Sequence, residues 1–225
     1  MFLALSPALP VNRMSVSTWT PAQLAPLIWF NAATLNVSNG NPVATWTNDG
    51  SAGSGGNATA SGTARPTMDT TGINNQPAVS FDGVDDLMTF SHASTTAFTV
   101  WFIYKAFMST GRHRVYEDVG NRLIGFYDGS RTMFTGTFLT GAAAATGVHC
   151  FIAQASSAGR SLRVNNATVS DAVSAGTLTG SARLGNPSEL IRGHVAELGV
   201  LNRVLTAGEL TLLTSYLTTK SGVTA

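Results

Sequence analysis

The sequence predicts an all-β protein, a two-sheet antiparallel jelly-roll sandwich that carries one short C-terminal helix. Three observations support this fold class. Short apolar segments alternate with turn residues along most of the chain, residues 97–107 are apolar on both faces, and a helical pattern occurs near the C-terminus. A chain of 225 residues suits one such sandwich. We therefore expect an extended N-terminal arm over residues 1–17 and one domain over residues 18–225.

Strand candidates follow each other at short intervals. Residues 97–107 place large apolar side chains at successive positions, which predicts a central strand that is covered on both faces. The Gly- and Ser-rich residues 48–61 predict a flexible surface loop. Residues 161–169 predict a hairpin, because the Asn pair at their centre tolerates the positive φ of a tight turn. The other strand candidates are residues 78–81, 122–127, 132–138 and 148–154.

The C-terminal helix has signals at both of its ends. Thr206 and Glu209 have the spacing of a capping box, and Gly222 is a C-terminal stop signal. Three apolar residues recur at helical intervals, namely Leu210, Leu213 and Leu217. The pattern predicts a short amphipathic helix after a long β-rich region.

Several short motifs occur in a fixed order along the chain. They are residues 26–32, 43–48, 65–67, 73–86 and 193–222. Together they resemble the concanavalin A-like lectin/glucanase superfamily, in the laminin-G-like branch that is found in phage and bacterial surface proteins. The resemblance extends from about Trp19 to Gly222, and it implies a jelly-roll domain. Because that family binds sugars or proteins, the resemblance alone does not define a ligand.

Composition narrows the classes of partner. Charged residues make up 11% of the chain and the formal net charge is +1, so we expect neither nucleic-acid binding nor attachment to an anionic membrane. A single cysteine, Cys150, excludes an internal disulfide. The Gly-rich residues 48–61 lack the following helix and Lys of a phosphate-binding loop, and we expect no cofactor.

The acidic residues do not form a recognisable catalytic motif. Glucanases of the superfamily carry a Glu-x-Asp-x-x-Glu strand, in which two carboxylates act as nucleophile and general acid. This chain has four glutamates, and none has that spacing: Glu117, Glu189, Glu197 and Glu209. We therefore expect no enzymatic activity and no catalytic residues. A glycoside hydrolase is the less favoured alternative.

Two groups of polar residues are candidates for binding. Residues 111–118, which we place in a loop between strands, and the turn after Tyr127 combine planar polar groups with an aromatic ring, as sugar sites do. The candidate ligand-binding residues are Arg112, His113, Arg114, Tyr116, Tyr127 and Asp128. The alternative is a solvated loop with Arg–acid pairs. We expect no metal ion; weak candidates are Asp82, Asp85 and Asp86, of which Asp85 and Asp86 would face opposite sides of a strand.

The N-terminus gives an expectation about location. Residues 1–10 are apolar but lack a basic region and contain two prolines, which makes a poor secretion signal. A lectin-like fold without an export signal is consistent with a virion-surface protein made in the host cytoplasm, such as a capsid decoration or tail component; otherwise we expect an extracellular protein. The arm from Met1 to Arg13 would then contact other virion proteins in a homo-oligomer or symmetric assembly, and exposed loops would bind glycans. The alternative is a free carbohydrate-binding lectin.

Overall fold

A computed structural model describes residues 19–174 and 176–223. They form two antiparallel sheets and a C-terminal helix, which confirms the predicted fold class. The predicted N-terminal arm, residues 1–17, lies outside the described residues. Within the described part of the chain, no helix is both long enough and apolar enough to cross a membrane.

In the described part of the chain, each sheet contains eight strands. The first sheet contains β1 (Ile28–Asn31), β4 (Thr67–Ile73), β5 (Gln76–Asp82), β7 (Phe98–Ala106), β12 (Gly147–Ser156), β13 (Gly159–Val164), β14 (Ala167–Asp171) and β16 (Arg192–Leu201). The second contains β2 (Thr45–Trp46), β3 (Ala58–Thr59), β6 (Met88–Ser91), β8 (His113–Asp118), β9 (Leu123–Tyr127), β10 (Ser130–Phe134), β11 (Phe138–Ala143) and β15 (Ser181–Leu184). The first sheet has the order β14-β13-β12-β7-β16-β5-β4, with β1 also paired to β16, and the second has the order β11-β10-β9-β8-β15-β6-β3-β2.

Strand β7 is central, as predicted, and contributes to two apolar clusters. Its inward residues, which include Phe102 and Tyr104, pack in the core between the sheets. Trp101 and Ile103 point to the other face, where they pack with Leu213 of the C-terminal helix. Alternate residues of the strand point to opposite faces, and each face packs against its own apolar cluster, which is why both sets of residues are apolar.

The helix α1 (Ala207–Ser221) covers the outer face of the first sheet. The Thr206 hydroxyl accepts a hydrogen bond from the Glu209 backbone N–H, and the Glu209 carboxylate accepts one from the Thr206 N–H, which confirms the capping box. Leu213 and Leu217 are fully buried against the sheet. Gly222 ends the helix with a φ of +72°, a left-handed conformation that favours glycine.

Three local predictions differ from the structure. Residues 132–138 were expected to be one strand, but β10 and β11 are separate strands joined by a turn that contains Gly136. Residues 111–118 were expected to be a loop, but most of them form β8. Residues 48–61 were expected to be a flexible loop, but they include a 3-10 turn and β3, which pairs with β2 and β6. The predicted hairpin at residues 161–169 is confirmed, with Asn165 at a φ of +55°.

Candidate ligand-binding face

A β-bulge in β8 brings two oppositely charged side chains to the outer face of the second sheet. Arg114 pairs with Gly125 and Glu117 pairs with Leu123, so three residue steps on β8 face two steps on β9. The extra residue places Arg114 and Glu117 on the same face, although residues three apart in a regular strand point to opposite faces. The Arg114 guanidinium consequently donates to the Glu117 carboxylate.

Glu117 is the centre of a charged cluster, which we define as Arg112, Arg114, Glu117, Asp128, Arg183, Asn186 and Glu189. Its carboxylate is almost completely buried. It accepts hydrogen bonds from Arg183 Nε at 2.6 Å and from Asn186 Nδ2 at 2.7 and 3.0 Å, in addition to the bond from Arg114. A buried carboxylate needs such donors to offset its loss of hydration. The cluster is therefore a fixed polar platform.

Arg112 and Asp128 form the solvent-facing edge of the charged cluster. Arg112 Nε lies 2.7 Å from Asp128 Oδ1, and Arg112 Nη1 lies 2.9 Å from Glu189 Oε1. These bonds raise the pKa of Arg112, and the guanidinium lowers the pKa of Asp128. The Arg112 and Asp128 side chains are 41% and 63% exposed, so both keep polar groups accessible to a ligand.

An aromatic patch adjoins the charged cluster; it consists of Tyr127, Phe134 and Phe138. The ring centres of Tyr127 and Phe138 are 4.9 Å apart, and those of Phe134 and Phe138 are 4.8 Å apart. The register of the β10–β11 hairpin pairs Phe134 directly with Phe138. The Arg112 guanidinium carbon lies 4.2 Å from the centre of the Tyr127 ring, and Phe138 is 48% exposed. The patch thus joins an accessible aromatic ring to the charged cluster.

The structure brings together four of the six predicted ligand-binding residues, namely Arg112, Arg114, Tyr127 and Asp128. It places the other two inside the sandwich. His113 lies 2.8 Å from the Tyr104 hydroxyl and 3.1 Å from the Thr110 carbonyl oxygen, and burial lowers its pKa. Tyr116 is fully buried in the core between the sheets. Both side chains point inward because each lies next to an outward-facing residue of β8: His113 precedes Arg114, and Tyr116 precedes Glu117. The prediction is therefore wrong for these two residues.

The candidate metal residues converge at the end of β5 and in the turn that follows it. Asp82, Asp85 and Asp86 each place one carboxylate oxygen within 4.8 Å of the others. The prediction that Asp85 and Asp86 face opposite sides is wrong, because both precede β6 and belong to the turn. Asp86 Oδ2 accepts from the Asp82 N–H at 2.8 Å, and burial raises the Asp86 pKa to about 6. Asp82 Oδ1 accepts from the Val84 N–H at 2.7 Å, so these carboxylates also stabilise the turn.

Comparison with known proteins shows the fold of this chain. No family model and no curated sequence matches it. Trypanosoma rangeli sialidase with the inhibitor DANA matches with a TM-score of 0.58 and 13% identity, over 89% of this chain and 35% of that protein. The chain therefore spans about a third of the sialidase. Domain 4 of AbnA, a GH43 extracellular arabinanase from Geobacillus stearothermophilus, in complex with arabinotriose, matches with a TM-score of 0.56 and 13% identity, over 87% of this chain and 98% of that domain.

A third match is the receptor-binding domain of botulinum neurotoxin type G. Its TM-score is 0.54 and its identity is 8%, over 85% of this chain and 51% of that domain. This chain shares their β-sandwich fold. The matched arabinanase domain is nearly coextensive with this chain, whereas the sialidase and the toxin domain contain additional structure.

Several residues of the face were not among the sequence candidates. Glu189 precedes β16, Arg183 lies in β15, and both meet β8 only through the fold. No local signal marks these residues. Phe134 and Phe138 were inside the single predicted strand at residues 132–138, and Gly136 between them was the available sign of a hairpin.

Proposed function

We propose that this chain is a non-catalytic carbohydrate-recognition domain that binds glycans on the outer face of its second sheet. The observation that carries the proposal is the contact between the aromatic patch and the charged cluster. A sugar presents a C–H surface and hydroxyl groups on one ring, and it is bound by an aromatic face beside hydrogen-bonding groups. Phe138 offers the aromatic face, and Arg112 and Asp128 offer the hydrogen-bonding groups.

The coextensive match to the arabinanase domain supports the choice of ligand class. That domain is described in complex with arabinotriose, and this chain covers 98% of it. The binding residues are inferred from the chemistry of this chain's own face, because an identity of 13% carries no correspondence of side chains.

The ion pairs of the glutamates support a non-catalytic role. A glycosidase general acid must hold a proton, and it must lie across the scissile bond from a second carboxylate. Here each of the four glutamates contacts a cationic side chain, in the pairs Glu117 with Arg114 and Arg183, Glu189 with Arg112 and Arg114, Glu197 with Lys220, and Glu209 with Arg203. Each of these carboxylates is therefore held in an ion pair within the fold, which supports a binding role over a catalytic one.

Calorimetric titration of the full chain with arabinotriose and with sialyllactose tests the binding face. Phe138→Ala removes the most accessible ring of the aromatic patch, and we expect it to weaken binding about tenfold. Phe107→Ala is the matched control, because Phe107 is 44% exposed and packs against His194 in the first sheet. Equal affinities of the Phe138→Ala variant and the unmodified chain would place the ligand elsewhere.

We propose a virion surface as the setting of this recognition, with the chain acting as a capsid decoration or tail component. The proposal is supported by the resemblance to laminin-G-like modules of phage particles and by the weakly charged composition, with 11% charged residues. The arm from Met1 to Arg13 would contact other virion proteins. Deletion of residues 1–13 is expected to reduce incorporation into particles without loss of the folded domain, as measured by mass spectrometry of purified virions. Normal incorporation of the truncated chain would refute the role of the arm.

A further inference from the structure

A groove of about 540 Å³ lies on the opposite side of the molecule from the aromatic patch, beside helix α1. Three separate segments line it: the helix, the turn between β4 and β5, and the chain before β1. The lining residues are Trp19, Thr20, Asn74, Gln76, Leu212, Ser215, Tyr216, Thr219 and Lys220. The volume lies within the range of small-molecule sites, which is about 300–1,000 Å³.

Two aromatic rings form a corner in this groove. The ring centres of Trp19 and Tyr216 are 6.0 Å apart, and their planes meet at 70°. Both side chains are partly exposed. A corner of this kind offers one ring face and one ring edge to the same ligand, so a flat or chair-shaped ring can contact both.

Two of the lining residues, Tyr216 and Lys220, are held in place by a buried carboxylate. The Glu197 side chain is fully buried and accepts hydrogen bonds from the Tyr216 hydroxyl at 2.9 Å and from the Trp29 indole N–H at 2.7 Å. The Lys220 ammonium contacts the same carboxylate and donates to Asn31 Oδ1 at 2.8 Å. Because Glu197 neutralises Lys220, the groove presents no unbalanced charge and favours an uncharged ligand.

Hydrogen-bonding groups at the groove remain available. The Gln76 side-chain amide is exposed, and no hydrogen bond joins it to any other described residue. The Trp19 indole N–H likewise has no acceptor among the described residues. The Asn74 amide donates to the Lys220 carbonyl oxygen at 3.2 Å, which leaves its own oxygen free to accept. Two donor groups, the Gln76 NH2 and the Trp19 N–H, and two acceptors, the Gln76 and Asn74 amide oxygens, therefore lie at the aromatic corner.

We infer that this groove is a second binding site, specific for a neutral sugar ring. The ring would stack its C–H face on Trp19 or Tyr216 and exchange hydrogen bonds with Gln76 and Asn74 through its hydroxyls. The inference rests on the proposed carbohydrate recognition, but it uses residues of the first sheet and of helix α1, which take no part in the first site.

Saturation-transfer NMR with arabinotriose on the full chain tests this site. Trp19→Ala and Gln76→Ala are each expected to weaken binding at the groove about tenfold or less, with the larger effect for Trp19→Ala. Trp19→Phe keeps a ring and is expected to keep most of the affinity, which separates stacking from misfolding. Gln23→Ala is the matched control, because Gln23 is an exposed glutamine outside the groove. Phe138→Ala reports on the first site in the same experiment.

The outcomes separate the two proposals. A signal that is reduced by Trp19→Ala and Gln76→Ala but kept in Gln23→Ala supports the groove, whether or not Phe138→Ala also reduces it. A signal that only Phe138→Ala reduces overturns the groove and leaves the proposed function intact. A signal that appears only after deletion of residues 1–13 shows that this segment is the occupant, and it overturns the inference. Absence of any signal with arabinotriose in all of these proteins also overturns it.

Discussion

Replacement of Lys220 by Met tests the attachment of helix α1 to the first sheet. The Lys220 ammonium is the cationic partner of Glu197, whose side chain is 0% exposed, while the Lys220 side chain is 13% exposed. Met keeps most of the length of the side chain and removes its charge. The substitution therefore leaves a buried carboxylate whose remaining donors are neutral, namely Trp29, Trp101 and Tyr216.

The expected loss of stability is large for a single substitution. Removing one partner of a buried ion pair costs about 3–5 kcal/mol, because the remaining charge loses its compensation. The three neutral donors to Glu197 persist, so we expect a loss at the lower end, about 3 kcal/mol. For a chain of this size, 1 kcal/mol shifts the melting temperature by about 2–4 °C, which gives a decrease of roughly 6–12 °C.

Urea denaturation and calorimetry measure this loss. Lys105→Met is the matched control: Lys105 Nζ donates to the Gly72 carbonyl oxygen at 3.1 Å, and its removal is expected to cost only about 1 kcal/mol. The double variant Lys220→Met with Glu197→Gln is expected to recover part of the loss, because it also removes the buried charge. A Lys220→Met variant within 1 kcal/mol of the Lys105→Met variant would refute the buried pair as the tether of the helix.

Three further predictions concern stability. The pKa of Glu209 is lowered to about 2, first by its hydrogen bonds with Arg203 and then by those with Thr206 at the helix cap. Its carboxylate therefore contributes to the free energy of unfolding above pH 4.5, and this contribution is lost as the pH falls toward 2. In the Glu209→Gln variant, the free energy of unfolding should decrease less between pH 4.5 and pH 2 than in the unmodified chain. Gly199→Ala should destabilise by about 1–3 kcal/mol in urea, since the added Cβ would lie 2.0 Å from the Trp101 ring, and an unchanged midpoint would contradict this packing. Arg160→Leu should lower the free energy of unfolding by about 2–3 kcal/mol, because this buried side chain pairs with Asp171 at 2.8 Å and donates to Thr135 in the β10–β11 turn of the second sheet. A loss below about 1 kcal/mol in calorimetry would argue against this contact between the sheets.

The sequence allowed prediction of those elements whose signals are local. The successive apolar residues at 97–107 predicted β7 as a central strand that is covered on both faces. The capping box and Gly222 predicted both ends of the helix. These features depend on backbone periods of two and 3.6 residues and on terminal hydrogen bonds, all of which are encoded within a few positions.

The candidate sites depend on contacts that no local pattern encodes. Residues 111–118 appeared to be a polar loop, because a bulge interrupts the alternation of β8. Glu189 is 75 residues from Arg114 and meets it only through the arrangement of the strands. The groove likewise joins Trp19, the β4–β5 turn and helix α1, which are far apart in the chain. Sequence reasoning therefore found four residues of the first face and none of the groove as a site.

A glycan array probed with the labelled full chain tests the central claim most directly. The array should include neutral oligosaccharides, with arabinotriose among them, and sialylated ones. We predict saturable binding to a subset of these glycans, with the signal reduced in the Phe138→Ala variant. A folded full chain that binds no glycan on such an array would contradict carbohydrate recognition and would favour a purely structural role for the sandwich.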